Sequence, residues 1–295
     1  MQQPLQGKNV LLTGASRGLG QVIARSFARA GANVALVARS QGPLEQLAAE
    51  LVLMGVRAVP LVADLGDFAG HGALIERASH ALGSVDILVN NAALEEAAFY
   101  ADYPRDKIEE MVRVDLLAPM LLTHSLLPQL LSRRTGHIVN IASVAAKTGA
   151  PYESTYAAAK AGLTVFSQSL RAELKGSGVG VSCVSPGFIS DVGMYASKAR
   201  ALNMRAPRVA GEVTPQQVAD GVLAAIRHNR GEVVVSPGPV RLISALNQLV
   251  PDWISNLMGW LGVSAVFRES AKADTDARVI QALQDAQRSG FSIEA

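Results

Sequence analysis

The sequence predicts an α/β domain in which a doubly wound, parallel, seven-stranded sheet carries helices on both faces, followed by a mostly helical C-terminal extension. Three observations lead to that class. Seven short β-branched or leucine-rich runs alternate with longer segments of helical spacing. The runs are almost continuously apolar, as strands covered on both faces are. The first run passes directly into a glycine-rich turn and then into a helical pattern. With 295 residues, 49% of them hydrophobic, the chain has ample material for one large core.

In order, the predicted strands are "NVLL" at Asn9, "NVALVA" at Asn33, "RAVPLVA" at Arg57, "DILVN" at Asp86, "HIVNIA" at His137, "VGVSCV" at Val179 and "EVVV" at Glu232. Helix punctuation agrees with the alternation. Gly31 and Gly55 follow helical runs as C-terminal stops, and "TPQQVADGVLAAI" opens with Thr214 as an N-cap and Pro215 at the first helical position. The alanine-rich run "STYAAAKAGL" predicts a helix from about Tyr152 to Lys175. Residues 1–235 read as one domain, and 236–295 as an extension packed on that domain or on a subunit interface.

Two local patterns carry chemistry. In "TGASRGLG", Gly14, Gly18 and Gly20 connect a strand to a helix start, where free N–H groups and the positive end of the helix dipole accept a pyrophosphate. On the alanine-rich helix, Tyr156 and Lys160 are four residues apart and so share a face. A free tyrosine titrates near pH ~10, and a neighbouring cation favours the phenolate, so the pair reads as a proton-transfer device. An ordinary helix bearing one amphipathic tyrosine and one solvated lysine has the same local pattern.

Taken together, these motifs resemble the classical short-chain dehydrogenase/reductase family over about residues 7–235. "TGASRGLG" matches its cofactor loop, and "NNAA" from Asn90 to Ala93 is similar to its NNAG signature. "IAS" ends at Ser143, thirteen residues before Tyr156, and "SPG" at Ser185 to Gly187 matches the turn after the sixth strand. The resemblance implies a Rossmann-type domain that interconverts a carbonyl and an alcohol, with a small-molecule ketone, aldehyde or alcohol as partner. Tyr156 is then the general acid or base, Lys160 lowers its pKa and holds the nicotinamide ribose, and Ser143 hydrogen-bonds the substrate oxygen. Cofactor contacts are implied for Gly14, Ser16, Arg17, Gly18, Leu19 and Gly20, for Arg39, Asp64, Leu65 and Asn90, for Tyr156 and Lys160, and for Pro186 and Ile189.

The departures from the family pattern are informative. Where the family often has an asparagine that supports a proton relay to the lysine, "MVRVDLLAP" places Asp115, which either joins the catalytic group or only fixes a helix irregularity. Asp191 stands where a threonine commonly touches the nicotinamide amide; it alters cofactor closure or caps the next helix. At the end of the second strand, Ala38 and Arg39 replace the aspartate of NAD-preferring relatives. Together with Arg17 they suit a 2′-phosphate, so NADP is the expected cofactor. Asp64 has an alternative role as an N-cap.

The 27 basic and 25 acidic residues nearly balance, without a basic stripe, so nucleic acid is not an expected partner. Cys183 lies in an apolar strand and reads as a buried structural thiol. The five histidines are dispersed, so no catalytic metal is expected. No signal peptide and no transmembrane helix are expected, and the expected setting is a cytoplasmic homodimer or homotetramer. The segment after Pro186, with Phe188, Met194, Tyr195, Leu202 and Met204, suits an apolar substrate pocket. Further on, Leu242, Leu246, Leu249, Trp253, Leu257 and Leu261 recur at three- and four-residue steps on either side of Pro251, with Arg241 as the one basic residue of 241–267. That face is expected to pack on the core or a subunit, ahead of acting as a lid and ahead of lying on a membrane. Two other functions remain open at this stage: a non-catalytic NADP(H) sensor or scaffold, and a lipid-directed ketone reductase at a membrane surface.

Overall fold

The computed structural model of the chain describes residues 5–201, 206, 211–238, 240–250, 252–253 and 263–288. Leu202, Met204, Pro251, Leu257 and Leu261 lie outside the described residues.

The strands are β1 (Asn9–Thr13), β2 (Asn33–Ala38), β3 (Ala58–Val62), β4 (Ile87–Asn90), β5 (Gly136–Ile141), β6 (Val179–Pro186), β7 (Phe188–Ile189), β8 (Glu212–Val213) and β9 (Glu232–Val235). Seven of them form one parallel sheet in the order β3-β2-β1-β4-β5-β6-β9, and β7 pairs with β8 in a small parallel ribbon. All seven runs read from the sequence are the strands of the large sheet. The helices are α1 (Leu19–Arg29), α2 (Gln41–Leu53), α3 (His71–Leu82), α4 (Arg105–Val112), α5 (Ala118–Arg133), α6 (Ala145–Thr148), α7 (Ser154–Glu173), α8 (Met194–Ala201), α9 (Pro215–Arg227), α10 (Val240–Leu249) and α11 (Val263–Arg288).

Alternate residues of each strand feed two cores. Val10, Leu12, Val34, Leu36 and Val139 pack under α1, α2 and α9 with Ile23, Phe27, Leu44 and Val222. Leu11, Ala35, Leu88 and Ile138 pack under α3, α5 and α7 with Leu74, Leu122, Leu126 and Leu170. Covering both faces explains why the strand sequences are apolar throughout. At the expected helix start, Thr214 forms a full capping box: its hydroxyl accepts from the Gln217 N–H at 3.2 Å, and its own N–H donates to Gln217 Oε1 at 2.8 Å. Gly31 and Gly55 take positive φ at helix ends, as their positions predict.

Two features depart from the expectations. The run 105–133 is continuously helical, and by length and composition it is apolar enough to cross a membrane. Its Leu122, Leu126 and Leu130 are nevertheless fully buried against the sheet, so it serves as a core helix. Between α4 and α5 it opens into a π-helical turn at Arg113–Leu117. Of the expected apolar face, Leu242 and Leu249 of α10 and the later Trp253 are exposed in the single chain and Leu246 is half-buried, while Ile243 and Asn247 of α10 face a cavity. The residues that face inward follow the docking of α10 at the mouth of the cavity, and helix period alone does not decide that.

Candidate active site

The strand order reverses between β1 and β4, and a crevice opens there at the C-terminal ends of the strands, where doubly wound sheets bind ligands. It is a cavity of about 990 Å³ with two ends.

Glycine geometry builds one end. At Gly14, with φ +67°, an added Cβ would stand 2.7 Å from Ala92 Cα; at Gly20 it would stand 2.0 Å from the Gly14 carbonyl oxygen. Neither position admits a side chain without moving backbone. The loop thus folds tightly onto the start of α1, whose first turn carries no acidic residue to oppose an anion. Ser16, Arg17, Gly18 and Leu19 line the cavity beside Gly14 and Gly20. Arg39, Asp64 and Leu65 also line it, from the ends of β2 and β3. Arg39 is largely exposed and lies 3.9 Å from Glu110, a loose surface pair. Asp64 accepts from the Gly66 N–H at 2.9 Å and so shapes the turn, whereas the helical cap that follows belongs to Asp67.

The segment after β4 is tied to the glycine loop by residues not singled out in the sequence. Thr13 Oγ1 accepts from the N–H groups of Asn91 and Ala92 at 2.9 and 3.0 Å, and Asn91 Nδ2 donates to the Thr13 carbonyl at 2.9 Å. Thr13 immediately precedes the glycine motif, a signal that was available. Asn90 is placed differently from its neighbours. Its side chain is buried and donates to Asn140 Oδ1 at 2.8 Å, while Asn91, Ala92 and Ala93 line the cavity in its place. Asn90 is the last residue of β4, and strand alternation turns it into the sheet interior.

The other end holds the catalytic candidates. Tyr156 and Lys160 both line the cavity from the N-terminal half of α7 and are both buried, with the Lys160 Nζ 5.6 Å from the centre of the Tyr156 ring. Ser143, just beyond β5, lines the cavity with Tyr156 and favours its ionised form, and the Ser143 Oγ accepts from the Ala145 N–H at 3.1 Å. Lys160 donates to the Ile141 carbonyl at 3.2 Å and forms an ion pair with Asp115 at 3.3 Å. Asp115 sits in the π-helical turn, fully buried, and its other oxygen accepts from the Leu94 N–H at 2.8 Å. The two roles weighed for Asp115 are therefore joined, because the helix irregularity is what points the carboxylate at Lys160. Burial pushes the Asp115 carboxyl above the usual carboxylate range, against the pull of Lys160.

The expected lowering of the Tyr156 pKa is reversed in the protein as it stands. Burial, and then the charges of Glu95, Asp115 and Glu153, hold the phenol well above its ordinary value. The sequence placed one cation near the ring and singled out Asp115, but gave no sign of Glu95 and Glu153. Asp191, with φ +63°, lines the cavity and accepts from the Ser190 hydroxyl at 2.8 Å. It does not cap α8. Pro186 and Ile189 line the cavity as expected, and Phe188, Tyr195, Ile243 and Phe267 complete its far wall.

The model of the short chain dehydrogenase family matches residues 8–203. The chain is 39% identical over 264 residues to the ketoacyl reductase HetN of Nostoc sp. (strain PCC 7120), covering 88% of this chain and 91% of that protein. It is 33% identical over 258 residues to dehydrogenase/reductase SDR family member 7B of Bos taurus, covering 84% of this chain and 79% of that one. An actinorhodin polyketide ketoreductase variant crystallised with NADPH superposes with a TM-score of 0.72 at 28% identity, covering 77% of this chain and 95% of that one. A metagenomic short-chain oxidoreductase in complex with NADP gives a TM-score of 0.66 at 30% identity, covering 78% of this chain and 97% of that one.

Proposed function

The chain belongs to the short-chain dehydrogenase family, and from that premise we propose that it is an NADPH-dependent reductase of ketones or aldehydes in which Tyr156 is the general acid. The observation that carries this reading is geometric: buried Tyr156 lines one cavity with Ser143 and Lys160, and Lys160 is held there by Asp115 at 3.3 Å. The residues at the nucleotide end fit the cofactor. Gly14 and Gly20 leave backbone where side chains would collide, α1 presents its N-terminus, and Arg17 and Arg39 suit a 2′-phosphate. When bound, the nicotinamide supplies the hydride.

The chain's own residues do the rest. A substrate carbonyl placed beside Ser143 and Tyr156 accepts two O–H hydrogen bonds, which strengthen as negative charge develops on its oxygen. The Tyr156 proton then passes to that oxygen. Lys160, fixed by Asp115 and the Ile141 carbonyl, stabilises the phenolate left behind, while the nearby carboxylates drive its reprotonation. The sign of the shift sets the direction. A raised pKa keeps the acid form at neutral pH, so carbonyl reduction is expected to hold its rate until strongly alkaline pH, whereas alcohol oxidation, which needs the phenolate, rises with pH. The names of the Nostoc relative and of the polyketide enzyme support a ketone over an aldehyde.

Incubation with NADPH and a panel of aliphatic and aromatic ketones, followed by loss of absorbance, tests the reading. Consumption that depends on the ketone is expected. Tight NADPH binding without turnover of any carbonyl would favour a sensor instead.

A further inference from the structure

Resting on the reductase reading, we propose that the substrate end of the cavity accepts an uncharged ketone bearing a bulky, planar apolar group, selects against anionic ketones, and owes this selectivity to the C-terminal helix α11. The wall facing Tyr156 is built by rings from three separate segments. Phe188 follows β6, Tyr195 lies in α8 and Phe267 in α11, with ring centres 4.7 Å apart for Phe188 and Tyr195 and 6.0 Å apart for Phe188 and Phe267. Flat apolar surface of this kind favours stacked or edge-on aromatic partners. Phe188 and Tyr195 lie within the 8–203 span that matches the family model, whereas Phe267 lies beyond it, so α11 completes the wall from outside that span.

The helix is fastened where it serves as a wall. Asp274 Oδ2 accepts from the Ala97 N–H at 2.8 Å. Arg278 pairs with Glu96 at 2.8 Å and stacks its guanidinium over the Tyr103 ring at 5.3 Å. Ser270 and Ala271 are buried in the contact. Both anchors grip the segment that follows Leu94, whose N–H is held by Asp115, the partner of Lys160. A continuous set of contacts therefore joins the selecting wall to the catalytic lysine.

Charge points the same way. Among the described residues, the basic side chains lining the cavity are Arg17, Arg39, Lys160 and Arg200. The first two stand at the nucleotide end. Lys160 is engaged by Asp115 and Ile141, and Arg200 donates to the main-chain oxygens of Asp191 and Ala196 at 2.9 and 3.2 Å. Glu95 and Glu153 line the same chamber, and both oppose negative charge at Tyr156. Among the described residues, a substrate carboxylate or phosphate would meet these carboxylates, and the cations of the chamber are already bonded to protein oxygens.

Calorimetric titration of the full chain, saturated with NADP+, against acetonaphthone and its carboxylate-bearing analogue tests the proposal without relying on turnover. The uncharged ketone should bind at least about tenfold more tightly. Phe267→Ala should weaken acetonaphthone by about tenfold while leaving NADP+ affinity in place, with Phe267→Leu as the milder variant should the alanine protein fold poorly. Glu95→Gln should narrow the penalty on the anionic analogue. Equal affinity for the two ketones, or undiminished affinity in both Phe267 variants, would overturn it. A binding preference as described, in a protein that reduces no ketone, would support this inference and count against the reductase reading alone.

Discussion

The two ends of the cavity are built by different means. The nucleotide end is made mostly of backbone: glycines that cannot carry a Cβ and a helix N-terminus next to each other in the chain, with Thr13 clasping the segment after β4. The substrate end is made of side chains from β7, α8, α10 and α11, segments far apart in the chain. Backbone geometry imposes residue types at fixed spacing, so it leaves a motif. Side-chain walls impose only size and polarity, so they leave none.

Substitutions at each end should differ in size and in kind, and the largest effect belongs to the nucleotide end. Gly20→Ala places a methyl 2.0 Å from the Gly14 carbonyl oxygen, so the loop must move. NADPH affinity should fall by on the order of 100-fold in a fluorescence titration, with the fold retained. Where the ends meet, Asp115→Ala leaves Lys160 buried beside a lost partner and frees the Leu94 N–H. Denaturant unfolding should show a loss of about 3 kcal/mol. Asp115→Asn keeps an oxygen for Leu94, so its loss should be smaller and its activity retained or raised; a folded but inactive Asn variant would give the carboxylate a role of its own. Back at the nucleotide end, Arg39→Asp should shift the ratio of NADPH to NADH efficiency toward NADH by on the order of tenfold. An unchanged ratio would remove Arg39 from cofactor choice. The smallest effect belongs to the substrate wall. Arg278→Gln breaks a half-buried pair with Glu96 and should raise KM for bulky ketones about threefold at unchanged kcat, a split that a general loss of stability would not give.

The same contrast explains what was legible in the sequence. All seven large-sheet strands, the α7 helix and the Thr214 cap follow from periodicity and cap chemistry, which are local properties. So does the cofactor loop. A helix irregularity at Asp115 was among the roles weighed, but its π-helical form and its direct pairing with Lys160 were not legible, because they depend on a buried partner on another helix. The pKa direction of Tyr156 was misread for a related cause: burial and the charges of Glu95 and Glu153 depend on loop placement. Asn90 was assigned by motif, although strand alternation turns its side chain inward and leaves Asn91 to face the cavity. In α10, periodicity identified an amphipathic helix but not that Ile243 and Asn247 line the cavity while Leu242 and Leu249 are exposed in the single chain. Phe267, Asp274 and Arg278 carry no local signal and become visible only when α11 meets the segment around Glu96 and Ala97.

The central claim is that the Tyr156 phenol delivers the proton to the substrate oxygen, and Tyr156→Phe tests it most directly because it keeps the ring that packs beside Met111 and Tyr103 while removing the transferable proton. NADPH-dependent ketone reduction should fall by about 100-fold or more, with NADPH affinity within about twofold of the parent protein. Reduction at the parent rate, in a folded variant that binds NADPH normally, would contradict the account.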